Sequence, residues 1–161
     1  MDAIGELHLH RLLVAVDGSE SAELALSAAV TAARRDHAAL TLISVAPDVV
    51  AEASRFGWAA AGYPPCDQDA ADGAADRALR EAADRVPEDI PVHRVLRRGK
   101  PGPEIVAQAA KEPYDALLLC ARGVGRVGAL IGSVSSYVMH HADTAVFVAH
   151  APREPAAPPA T

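Results

Sequence analysis

Short apolar runs alternate with amphipathic segments of helical period along this chain, and few folds accept that alternation. The run RLLVAV (residues 11–16) breaks off at Asp17-Gly18-Ser19. A short run with no polar alternation reads as a strand buried on both faces and entering a turn. SESAELALSAAVTAARR follows with apolar residues at helical spacing. Ser19 suits its N-cap, Glu20 and Glu23 its first turn, and Arg34 and Arg35 its last, a charge order that favours the helix dipole. The pattern then repeats: strand at 39–45, alanine-rich helix at 67–86, strand at 92–98, helix at 103–112, strand at 114–120, helix at 133–141 and strand at 145–150. Such alternation gives a parallel sheet with helices on both faces, and right-handed crossovers leave few topologies. The expected unit is an open five-stranded α/β domain over residues 11–150, between an N-terminal extension (1–10) and a Pro/Ala-rich tail (151–161) whose composition predicts disorder.

The pattern lapses over residues 46–67, where Pro47, Gly57, Gly62, Pro64 and Pro65 interrupt a stretch holding Phe56, Trp58 and Tyr63. A long loop in a compact domain is often functional. The expectation is a lid packed by its own aromatics and mobile without ligand.

A chain of 161 residues buries enough apolar surface to fold without disulfide or metal. Aromatics make up only 4%, so the core is built from Val, Leu, Ile and Ala. With 21 acidic against 15 basic residues and no basic stripe, neither nucleic acid nor an anionic membrane is an expected partner. Cys66 and Cys120 are far apart and in no C-x-x-C, which fits a reducing compartment. No apolar run approaches the roughly 20 residues of a membrane span, and the expected location is cytoplasmic. His8 and His10 lack a third ligand and read as incidental. No serine and histidine are spaced as nucleophile and base.

Ligands on open α/β sheets bind outside the carboxyl ends of the strands, at the topological switch point. Two segments meet that description: VDGS after the first strand and CARGVGRVGALIGS after the fourth. GVGRVG (123–128) is a G-x-G-x-x-G, but a dinucleotide fingerprint opens the first βαβ unit and has an acid about 20 residues on. Here the glycines follow the fourth strand and the next strand ends at His150, so no dinucleotide site is expected. Gly132-Ser133 instead opens the last helix, where free N–H groups and the dipole favour an anion. Ser133 and Ser135 add hydroxyl donors, and Gly123 allows close backbone approach. Asp17 stands where a carboxylate accepts ribose hydroxyls or helps hold Mg²⁺ through water. The same Asp17-Gly18-Ser19 is also ordinary turn chemistry. Cys120 reads as a small buried hydrophobe. Arg122 either reaches a phosphate or is solvated.

LLVAVDGSESAELAL, YDALLLCARG and GSVSSYVMHHADTAVFVAH together resemble the universal stress protein family, over about residues 11–150. The resemblance implies strand order 3-2-1-4-5, a Rossmann-like sheet of the adenine nucleotide alpha hydrolase type, and a homodimer. It also implies ATP, with or without Mg²⁺, as the ligand of those members that bind one. By the same resemblance Ala15 and Leu40 lie near the base, with Asp17, Cys120, Arg122, Gly123, Gly132, Ser133, Val134 and Ser135 around sugar and phosphates. The binders' motif runs Gly, two residues, Gly, nine residues, Gly, then Ser or Thr; this chain has Cys120 at the first glycine and eight residues between Gly123 and Gly132. The first change adds a Cβ and a sulfur, and the second removes up to about 3.3–3.6 Å of reach. Three functions stay open from the sequence: a nucleotide-binding regulatory module of a stress response, a scaffold of the same fold with a non-binding pocket, and a slow ATPase.

Overall fold

The structure is a computed structural model that describes residues 8–57, 60–62, 67–121 and 132–150. Five strands form one parallel sheet: β1 (Arg11–Ala15), β2 (Ala39–Ala46), β3 (Val92–Arg98), β4 (Ala116–Cys120) and β5 (Ala145–Ala149). Their order is β3-β2-β1-β4-β5, as the resemblance implies. Leu12, Leu13 and Val14 of β1 are wholly buried, because parallel neighbours cover both edges and helices cover both faces. Alternate residues serve the two faces. Leu12, Val14, Leu40, Leu42 and Leu118 pack against α1 (Glu20–Asp36) and α3 (Gln68–Asp84), chiefly on Leu26, Ala29, Leu79 and Ala82. Leu13, Ile43, Leu117 and Leu119 pack against Ile105 and Ala109 of α4 (Pro101–Lys111) and Val138 of α5 (Ser133–His141).

The expected cap of α1 is present. Ser19 accepts the Ala22 N–H at 3.2 Å, Glu20 and Glu23 stand in the first turn, and Arg34 and Arg35 in the last. At the amino end of the sheet, carboxylates hold backbone donors. Asp115 accepts the N–H groups of His10 and Arg11 at 2.7 and 2.8 Å, and Asp36 accepts that of Leu9 at 3.1 Å.

The segment expected to be a loop holds a helix, α2 (Val49–Phe56). Asp48 caps its start, accepting the Ala51 N–H at 2.9 Å, and Gly57 ends it in the left-handed conformation at φ 65°. The Gln68 side chain ties the helix down, accepting the Val49 N–H at 3.1 Å and donating to the Pro47 carbonyl at 3.0 Å and to Asp72 at 2.7 Å. Arg98 in turn pairs with Asp72. None of the α2 residues is buried, and Phe56 is 65% exposed. Trp58 and Tyr63, like the tail at 151–161, lie outside the described residues.

Gly102 sets the spacing of the two helices beneath the carboxyl end of the sheet. A Cβ on it would stand 2.8 Å from the Tyr137 ring and 3.1 Å from the Tyr137 Cβ, so α5 comes closer to α4 than any other residue permits. Relieving that clash must move α5, because the near atoms include the root of the tyrosine side chain. Gly102→Ala is therefore expected to lower stability by about 1–3 kcal/mol through overpacking, against which alanine's better helix propensity returns at most about 1 kcal/mol. A urea midpoint equal to or above that of the parent would refute the close-approach argument.

Candidate functional site

At the carboxyl ends of β1, β2 and β4 the two helix layers part, leaving a cleft of about 330 Å³. One wall is apolar: Ala15, Ile43, Val45 and Leu119 from the strands and Pro101 and Ile105 from α4. The other is polar: Asp17, Ser19 and Ser21 after β1, Cys120 at the end of β4, and residues 132–135 at the start of α5.

The β1 side is fixed by a turn. Gly18 takes φ 77°, a conformation glycine adopts without strain. Asp17 Oδ1 accepts the Ser19 N–H at 3.0 Å and the Ser19 hydroxyl. The carboxylate thus braces the N-cap of α1 and also lines the cleft, so turn chemistry and site position coincide in one residue.

On the α5 side, Gly132 is the N-cap and offers no side-chain acceptor. The N–H groups of Ser133, Val134 and Ser135 have no intrahelical acceptor, and together with the dipole they favour an anion. Ser133 is exposed. Ser135 is 3% exposed, and its hydroxyl lies 3.4 Å from the Cys120 carbonyl, which ties the helix start to the end of β4.

Cys120 occupies the junction between these two sides. Its sulfur lies 3.2 Å from the Ala149 carbonyl across the β4–β5 ladder. Burial pushes the thiol above its ordinary 9.0; a hydrogen bond with Ser21 opposes this and the charge of Asp17 adds to it. The group at this end of the cleft is a neutral thiol.

Of the residues singled out from sequence, the structure brings Ala15, Asp17, Cys120, Gly132, Ser133, Val134 and Ser135 to one cleft. Leu40 is elsewhere. It lies near the amino end of β2, wholly buried under α1 and α3, and the β2 residues at the cleft are Ile43 and Val45. Register explains the difference, since Ala15 pairs with Ile43 whereas Leu40 pairs with Leu12. Arg122 and Gly123 lie outside the described residues. Sequence reading also passed over Ser21, Pro101, Ile105 and Leu119. Only Leu119 carried a signal, by its place at the end of a buried strand. Among the described residues, no three His, Cys, Asp or Glu side chains gather where they could hold a metal ion, and no helix is long and apolar enough to cross a membrane.

The family model described as "Universal stress protein family" matches residues 8–150. The chain is 29% identical over 147 residues to universal stress protein Sll1388 of Synechocystis sp., covering 86% of this chain and 96% of that one. Among solved structures it resembles the universal stress protein UspA from Lactobacillus plantarum at 27% identity and a TM-score of 0.70, over 89% of this chain and 99% of that one. It also resembles a universal stress protein in complex with cAMP at 23% identity and a TM-score of 0.66, over 89% and 98% of the two chains.

The raised thiol has a direct readout. In a Cys66→Ser background, Cys120 is expected to react with a disulfide reagent more slowly than a free cysteine at pH 8, the rate still climbing above pH 9. Labelling at pH 7 as fast as that of an exposed thiol would contradict the burial argument.

Proposed function

The chain belongs to the universal stress protein family, and on that premise we propose that it is a cytoplasmic regulatory module of a stress response that binds an adenine nucleotide at the carboxyl end of its sheet. One observation carries the reading: the uncapped start of α5, Gly132 to Ser135, lines the same cleft as Asp17 at the switch point, opposite an apolar wall. In this assignment the base lies against Ala15, Ile43, Val45 and Ile105. The ribose hydroxyls donate to Asp17, and phosphate oxygens accept from the N–H groups of Ser133, Val134 and Ser135 and from the Ser133 hydroxyl. The solved relative in complex with cAMP supports an adenine nucleotide as the ligand, and the resemblance of the glycine motif nominates ATP. A second reading, a scaffold whose pocket binds nothing, draws on Cys120, which lines the cleft at the position of the motif's first glycine.

Thermal shift separates the two. A ligand that binds only the native state raises stability by mass action, so AMP, ADP, ATP or cyclic AMP at millimolar concentration raises the melting temperature if the nucleotide reading holds. If none does, the scaffold reading replaces it. Ser133→Ala removes one hydroxyl donor to a charged acceptor, a loss of about 1.5–3 kcal/mol, and is expected to weaken binding roughly ten- to hundredfold. Asp17→Ala is expected to weaken it as well.

The proposed assembly is a homodimer through β5. This strand lies at the edge of the sheet, and Phe147 on it is 45% exposed. An apolar edge is a pairing liability, which a two-fold axis relieves. Phe147→Lys is expected to sediment as a monomer at concentrations where the parent is dimeric. A folded variant that remains dimeric would put the interface elsewhere.

A further inference from the structure

The strand β3 is the edge of the sheet opposite β5. The Pro91 carbonyl accepts the Leu40 N–H, and the Gly99 N–H donates to the Ala46 carbonyl, each at 2.9 Å. A parallel ladder bonds alternate residues. The odd-numbered residues of β3 therefore bond to β2, and the N–H and C=O groups of Val92, Arg94, Leu96 and Arg98 point out of the sheet. The side chains of these four share the face on which α3 packs, since Val92 and Arg94 pair in register with Leu40 and Leu42. On that face Leu40 and Leu42 are buried, yet Val92 is 36% and Leu96 42% exposed, with Arg94 exposed between them. Arg97 pairs with Glu104 and Arg98 with Asp72. Among the described residues, Arg94 has no ion-pair partner.

We infer that this edge takes up an extended acidic segment of a partner protein as a sixth strand, with a carboxylate opposite Arg94 and apolar residues opposite Val92 and Leu96. Unpaired edge groups are a template for another strand. Main-chain bonds then give affinity, and alternate side chains choose the partner. The pattern apolar, acidic, apolar at every second residue reads the same in either strand direction. Charge also says what the edge rejects. β3 holds no acidic residue, so pairing with β3 of a second copy sets no carboxylate opposite Arg94 and brings like charges together, which destabilises facing strands. A homodimer through β5 leaves this edge free. With Arg97 and Arg98 engaged by Glu104 and Asp72, the strand offers one available guanidinium, not the row of cations that a phosphate backbone engages.

Amide hydrogen exchange of the full chain, read residue by residue by NMR, tests this. The probe is a blocked heptapeptide with threonine at the odd positions, valine second and sixth, and glutamate fourth; its control has lysine fourth. Without peptide, the amides of Val92, Arg94, Leu96 and Arg98 are expected to exchange fast and those of His93, Val95 and Arg97 slowly. The glutamate peptide at millimolar concentration is expected to protect the first set, binding roughly threefold or more tightly than the lysine peptide. Arg94→Glu is expected to reverse that preference. If this variant does not fold, Arg94→Gln is read instead and is expected to erase it. No protection by the glutamate peptide, equal binding of the two peptides, or a preference unchanged in the folded variant overturns the inference. Protection of the first set without peptide also overturns it: one that grows with protein concentration gives the edge to a second copy, and one that does not gives it to the chain itself.

Discussion

The domain depends on β1 being covered on two faces and along two edges at once. Leu12, Leu13 and Val14 are wholly buried, so neighbours must pair with both edges and a helix layer must lie on each side. Right-handed crossovers then dictate where the helices go. The chain steps from β1 to β2 to β3 in one direction, which puts α1 and α3 on one face. It then returns past β1 to β4 and β5 in the other direction, which puts α4 and α5 on the opposite face. At the reversal, between the carboxyl ends of β1 and β4, the connections leave on opposite sides. The cleft is the space they vacate.

The buried strands were legible as short apolar runs without polar alternation, and α1, α3 and α4 by apolar residues at helical spacing. Ser19 as a cap was legible for the same local reason, since a hydroxyl before an amphipathic run has few other roles. The helix α2 was not. Val49, Val50, Ala53 and Phe56 do fall at helical spacing, but over only eight residues, and the signals that bound the helix, Asp48 before and Gly57 after, also mark turns. The tie from Gln68, 19 residues from its partner Val49, belongs to the fold and not to any local pattern.

The site divides in the same way. Residues that line the cleft because they follow a strand or begin a helix (Asp17, Gly132, Ser133) could be named from sequence. Those that line it by register or by crossing from another helix could not. Leu40 and Ile43 lie in one apolar strand and differ only in how far they are from its carboxyl end and in which face they meet. Ile105 and Pro101 reach the cleft because α4 packs tightly against α5, an approach that depends on Gly102, and no spacing in the sequence announces it.

The carboxylates at the amino end of the sheet have a consequence for acid. The Arg35 guanidinium, with help from the Leu9 N–H, holds Asp36 down to about 2 from an ordinary 3.8. Backbone donation from Arg11 and His10 lowers Asp115 in the same sense. A carboxyl whose folded value is depressed contributes stability that is fully present above the unfolded value and is lost as the pH falls through the folded one. The ties of Leu9, His10 and Arg11 to the sheet therefore keep full strength at neutral pH and weaken only below about 3.8, where Asp36 yields progressively toward 2. Strong acid thus loosens the fold at the end of the sheet opposite the cleft, by protonating groups that touch no part of it.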